Sequence, residues 1–126
     1  MINNARKILV VDDDRAVTSL LESLLSGQGY QVLSAYDGKD ALAQVKQNTP
    51  ELIILDIMMP ELNGYDVCSN LKFDEKFKTI PIIVLTSREQ ELDPRIGKLM
   101  GISYMQKPID SKVLLEKVQN TFKILK

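Results

Sequence analysis

The chain has 126 residues, 44% hydrophobic and 26% charged, which is the make-up of one ordinary domain around one core and excludes a disordered or fibrous chain. Its net charge of -1 removes the electrostatic case for direct nucleic-acid binding, and the absence of histidine excludes imidazole metal sites, Ser-His catalysis and an internal phosphohistidine. No run reaches the roughly 20 apolar residues of a membrane span, and MINNARK lacks the apolar segment of a signal peptide, so a cytoplasmic protein without a membrane partner is expected.

A strand is expected at about 7–12 (KILVV). A first helix follows from Asp14 or Arg15, with Val17, Leu20, Leu21, Leu24 and Leu25 on one face, and stops at Gly27 and Gly29. After a strand at 31–35, a second helix opens on Asp37 as N-cap, turns Ala41, Leu42 and Val45 inward and ends before Pro50. The strand at 52–56 leads through MMPELNGYD to a third helix that uses Val67, Cys68 and Leu71. Cys68, the single cysteine, is read as a small buried hydrophobe rather than a reactive thiol.

A strand at 81–86 is followed by the weakest helix, capped by Asp93, opened by Pro94, interrupted by Gly97 and ended by Gly101. Low local stability is expected there. A last strand at 103–106 precedes a helix that Asp110 caps after Pro108 and that buries Val113, Leu114, Val118 and Phe122. The runs KILVV, ELIIL and IPIIVL show no alternation, which suits central parallel strands covered on both faces. The expected fold is α/β: a five-stranded parallel sheet in the order 2-1-3-4-5 flanked by five helices, one domain over 1–126 with no output domain.

The apolar runs end on polar residues of different kinds: Asp12 and Asp13, then Asp56, Thr86 and Lys107. In the expected strand order their carboxyl ends share one crevice, with the ends of strands 1 and 3 about 5 Å apart. Three carboxylates that close repel unless a cation or a shared proton offsets them. Oxygen ligands without His or Cys favour Mg²⁺ or Ca²⁺, and an open site that keeps waters and takes phosphate oxygens favours Mg²⁺. Asp14 is assigned to capping the first helix.

Taken together, KILVVDDD, LIILDIMMPELNGYDVC, IPIIVLTSR and GISYMQKPI resemble the receiver domain of two-component response regulators, along nearly the whole chain and in the family's order. The resemblance implies a flavodoxin-like fold and the following roles. Asp56 is the phosphoacceptor; Asp13 and Asp56 ligate Mg²⁺ directly, Asp12 helps through a water, and the backbone carbonyl of Met58 completes the protein ligands. Thr86 hydrogen-bonds the phosphoryl group, Lys107 pairs with one of its oxygens, and Tyr104 turns inward when Thr86 moves. The Lys107–Pro108 bond is expected to be cis, and Pro60 shapes the turn beside the metal. The implied activity is that of a signalling switch rather than a turnover enzyme. A histidine kinase or phosphotransfer protein supplies the phosphoryl group, and a target protein reads the face of the fourth helix, the fifth strand and the last helix. The switch is a monomer or a phosphorylation-dependent dimer.

Ser87 stands where the family usually has a smaller residue such as alanine, and Met58 and Arg88 offer no carboxamide or carboxylate to orient hydrolytic water, so slow to moderate self-dephosphorylation is expected. A haloacid-dehalogenase-type phosphatase needs a second Asp two residues after the nucleophile, where this chain has Met58. A flavodoxin or dinucleotide-binding protein needs a Gly- or Ser/Thr-rich loop after strand 1, where this chain has DDDRAV. The remaining alternative is a degenerate receiver that acts as a constitutive interaction module.

Overall fold

A computed structural model describes residues 6–57, 64–86 and 101–124. Five strands, β1 (Lys7–Val11), β2 (Gln31–Ala35), β3 (Leu52–Asp56), β4 (Ile82–Thr86) and β5 (Ile102–Gln106), form one parallel sheet in the order β2-β1-β3-β4-β5. Every expected strand is present to within about one residue. Among the described residues there are four helices, α1 (Arg15–Ser26), α2 (Gly38–Asn48), α3 (Gly64–Lys72) and α4 (Ser111–Ile124). The weak helix expected at about 93–100 lies outside the described residues, as do Met58, Pro60, Ser87 and Arg88. No helix among the described residues is long and apolar enough to cross a membrane.

Because side chains alternate across a strand, each central strand feeds two cores. Leu9, Val11, Ile53, Leu55, Ile82 and Val84 pack on one face against Ala41 and Val45 of α2 and Val67, Cys68 and Leu71 of α3. Ile8, Val10, Leu52, Ile54, Ile83 and Leu85 pack on the other against Leu21 and Leu25 of α1 and Leu114, Val118 and Phe122 of α4. The unbroken apolar runs of β1, β3 and β4 are the sequence trace of this two-sided burial, and the edge strands β2 and β5 are only partly buried.

The helix boundaries follow local chemistry. Asp14 accepts from Ala16 N and Asp37 from Asp40 N, as N-caps, while Asp110 accepts from the backbone of Lys112 and Val113. Gly29, at φ 94°, makes the left-handed turn that carries the chain from α1 into β2. Two expected core residues are corrected. Leu20 and Val113 are exposed, at 43% and 45%. Each sits one residue, or about 100° of helical turn, from the most deeply buried row, Leu21–Leu25 or Leu114–Val118–Phe122. Thr18 takes the inward place on α1 instead, its hydroxyl satisfied by donating to the Arg15 carbonyl.

Cys68 is buried as expected, and burial pushes its thiol up to about 11, with the Lys72 ammonium pulling it back only in part. In the unfolded chain the thiol ionises near 9, so between these pH values the folded state holds a proton that the unfolded state has lost. Stability therefore falls as pH rises from 9 to 11, by about 3 kcal/mol from this group. Lys72, its pKa lowered by burial, titrates in the opposite sense, so the informative comparison is between variants. Cys68→Ala is expected to remove this decline in urea unfolding at pH 9 and pH 11; parallel losses in both proteins would show that the thiol is not shielded.

Candidate functional site

The sheet's hydrogen bonding runs past the strands and fixes the residues that follow them. Asp12 N donates to the Ala35 carbonyl at 3.2 Å, Ile57 N to Leu85 at 3.1 Å, and Lys107 N to Thr86 at 2.8 Å. The side chains at these strand ends are thus held on the most rigid part of the molecule. Among the described residues the buried polar side chains are Asp12, Thr18, Asp56 and Thr86, and three of the four belong to this set. Polar groups are seldom buried without a partner or a purpose, and here they converge.

Asp12, Asp13 and Asp56 each bring a carboxylate oxygen within 4.8 Å of the others. Asp12 and Asp56 are 0% and 4% exposed, whereas Asp13 faces solvent. Lys107 reaches across from β5 to place its ammonium 3.0 Å from Asp12 Oδ2 and 3.4 Å from Asp56 Oδ1. Burial lowers the Lys107 pKa, but hydrogen bonding and charge from Asp12, and then Asp56, outweigh it and hold the pKa above its ordinary value. Lys107 is therefore a permanent cation at neutral pH.

One ammonium does not neutralise three carboxylates. The second oxygen of Asp12, Oδ1, accepts from Asp14 N at 2.9 Å, so both oxygens of that side chain already have protein donors. The cluster keeps a net negative charge, and an all-oxygen donor set open to solvent on the Asp13 side fits a hard divalent cation such as Mg²⁺.

Thr86 ends β4, one residue beyond Leu85, which is the partner of Asp56 in the register, and it is buried. Tyr104 lies two register positions back on β5, opposite Val84, half-buried against the core layer of α2 and α3. The Lys107–Pro108 peptide bond is cis, as expected. The structure thus brings together Asp12, Asp13, Asp56 and Lys107, sets Thr86 at the adjoining strand end and Tyr104 behind it, and leaves Met58 outside the described residues.

Gly64 escaped the sequence reading. It opens α3 and donates to the Ile57 carbonyl at 3.1 Å. A Cβ at this position would lie 2.6 Å from Ile57 Cα and 2.7 Å from the Asp56 carbonyl oxygen, so α3 approaches the backbone of the acidic strand as closely as only glycine allows. The signal in the sequence was the Asn-Gly step just before the third helical run.

A parallel sheet in this order, with acid, hydroxyl and lysine at successive carboxyl ends, is a doubly wound fold with its candidate site at the topological switch point. Residues 8–119 match the family described as the response regulator receiver domain, and the chain belongs to that family. Solved structures agree. The chemotaxis protein CheY4 of Vibrio cholerae is 29% identical with a TM-score of 0.83, covering 93% of this chain and 98% of that one. A putative response regulator from Chloroflexus aurantiacus is 34% identical with a TM-score of 0.83, covering 94% and 98%. The signal receiver domain of a signal transduction histidine kinase from Syntrophus aciditrophicus is 33% identical with a TM-score of 0.84, covering 97% and 93%.

Proposed function

We propose that the chain is a phosphoacceptor switch that takes a phosphoryl group onto Asp56 from a histidine kinase or phosphotransfer protein and alters its surface to control a partner. The observation that carries this reading is the buried Asp56 carboxylate, set beside two further carboxylates and 3.4 Å from a lysine held above its ordinary pKa. Asp13 and Asp56 would hold Mg²⁺ directly, and the full hydrogen-bonding of Asp12 suits an indirect role through water. When bound, the ion supplies charge neutralisation for the phosphoryl oxygens.

The chain's own residues do the rest. Attack by one anion on another is slow, and the Lys107 ammonium lowers that repulsion because it stands beside the attacking oxygen. The bond from phosphorus to the donor breaks as the Asp56 Oδ–P bond forms, giving an aspartyl phosphate. That group carries about two negative charges where the carboxylate carried one. Lys107 then has a stronger partner than Asp12, and Thr86 acquires an acceptor just beyond its strand. A half-buried Tyr104 is neither sealed in the core nor solvated, and this suits a side chain with two positions on the face that a target reads. The reading is of a switch rather than a turnover enzyme.

Acetyl phosphate with Mg²⁺ is expected to load one phosphoryl group per chain, with chelation abolishing the reaction and the product persisting for minutes after the donor is removed. Intact-mass measurement checks both. No incorporation would favour the constitutive interaction module, and release within seconds would refute the slow dephosphorylation expected from Met58 and Arg88.

A further inference from the structure

Arg15 is the first residue of α1 and follows three consecutive aspartates, yet among the described residues no carboxylate lies within ion-pairing distance of it. Its guanidinium instead stacks over the Tyr36 ring, 3.9 Å from the centroid. Tyr36 follows Ala35, whose carbonyl accepts from Asp12 N, so the stack stands at the end of β2, beside the end of β1. β1 in turn adjoins β3. With strands about 4.8 Å apart, two spacings put the stack roughly 10 Å from the end of the Asp56 strand, on the side away from Lys107. An arginine paired with a carboxylate has its charge cancelled locally, whereas one held by an aromatic face is oriented and remains a full positive charge to its surroundings.

We propose that the Arg15–Tyr36 stack is a fixed cation at the rim of the carboxylate crevice that recruits anionic phosphodonors to it. The inference rests on the phosphoacceptor reading of Asp56. Three carboxylates against one ammonium leave the crevice negative until a divalent cation binds and about neutral afterwards, so in neither state does it draw an anionic donor in. A unit positive charge at about 10 Å adds an attraction in water at low ionic strength, where the Debye length is about 30 Å, and loses its reach near 1 M salt, where it is about 3 Å. The side chain is exposed and touches none of the reacting atoms, so it is a positioning residue for the donor rather than a catalytic one.

The test uses two small donors of different charge. Acetyl phosphate is a dianion at neutral pH, and transfer breaks its P–O bond, forms the bond from Asp56 to phosphorus and releases acetate. Phosphoramidate is a monoanion because its nitrogen is protonated; transfer breaks the P–N bond and releases ammonia. With Mg²⁺ and little added salt, Arg15→Gln is expected to slow acetyl phosphate about threefold and phosphoramidate less than twofold, and both differences should vanish near 1 M salt. Arg15→Lys keeps the charge and should recover most of the rate, while Tyr36→Leu, which frees the guanidinium, should fall between wild type and Arg15→Gln. Calorimetric titration gives a readout independent of transfer: Arg15→Gln should bind Mg²⁺ more tightly, by about twofold or more, because it removes a like charge. Equal rates for wild type and Arg15→Gln with both donors at low salt, together with equal Mg²⁺ affinity, would overturn the inference and leave the phosphoacceptor reading standing. A wild-type protein that neither donor phosphorylates would overturn both.

Discussion

Asp56→Asn is expected to reduce phosphoryl incorporation from about one group per chain to background. The carboxamide keeps the shape of the side chain and can still accept from Lys107, so the fold survives, but its neutral oxygen is no nucleophile toward phosphorus. Intact mass and a phosphate-affinity gel would read the loss. Incorporation at the wild-type level would move the acceptor to one of the other two carboxylates of the cluster, of which the exposed Asp13 is the more accessible. The same variant tests the switch. A pull-down comparing Asp56→Asn with the wild type held in a beryllofluoride state should recover different partners, and identical sets would leave a receiver fold without a switch.

Gly64→Ala should be the most damaging single-methyl change near the site. The new Cβ meets backbone atoms of the Asp56–Ile57 segment, 2.6 Å from Ile57 Cα and 2.7 Å from the Asp56 carbonyl oxygen, so no side-chain rotation can relieve it. Either α3 lifts from the sheet or β3 shifts under the nucleophile. A loss of about 3 kcal/mol is expected, seen as a lower urea midpoint at unchanged slope, with slower phosphorylation of the molecules that remain folded. A variant of wild-type stability would show that the start of α3 has room to move. The acidic strand and the helix after it are thus positioned by one backbone contact.

The central strands were legible because burial on two faces forces every residue of a strand to be apolar, and IIVL or LIIL cannot belong to an exposed loop without large cost. The strand-end cluster was legible for the complementary reason: Asp12, Asp56 and Thr86 each interrupt such a run with the first polar group after it. Periodicity located the apolar stripes of the helices but not their borders, since a leucine or valine one residue off the central row still fits the pattern; hence Leu20 and Val113 were assigned inward and lie outward. The close approach of Gly64 to β3 and the Arg15–Tyr36 stack were illegible for another reason. Both depend on which backbones come close in space, and nothing in the local sequence of residue 15 speaks of residue 36.

The ammonium of Lys107 and the carboxylate of Asp12 are separated by 95 positions in the chain and by 3.0 Å in the fold. On a ribosome, which delivers the chain from its N-terminus, both aspartate-bearing strands emerge well before the lysine. Until residue 107 has been released, any compact form of the chain would hold two nearly sealed carboxylates without the lysine beside them, and charge repulsion would disfavour it. The carboxylate cluster therefore stays without its lysine until residue 107 has been added, and a truncated product that ends before that residue lacks the protein's own cation beside Asp12 and Asp56.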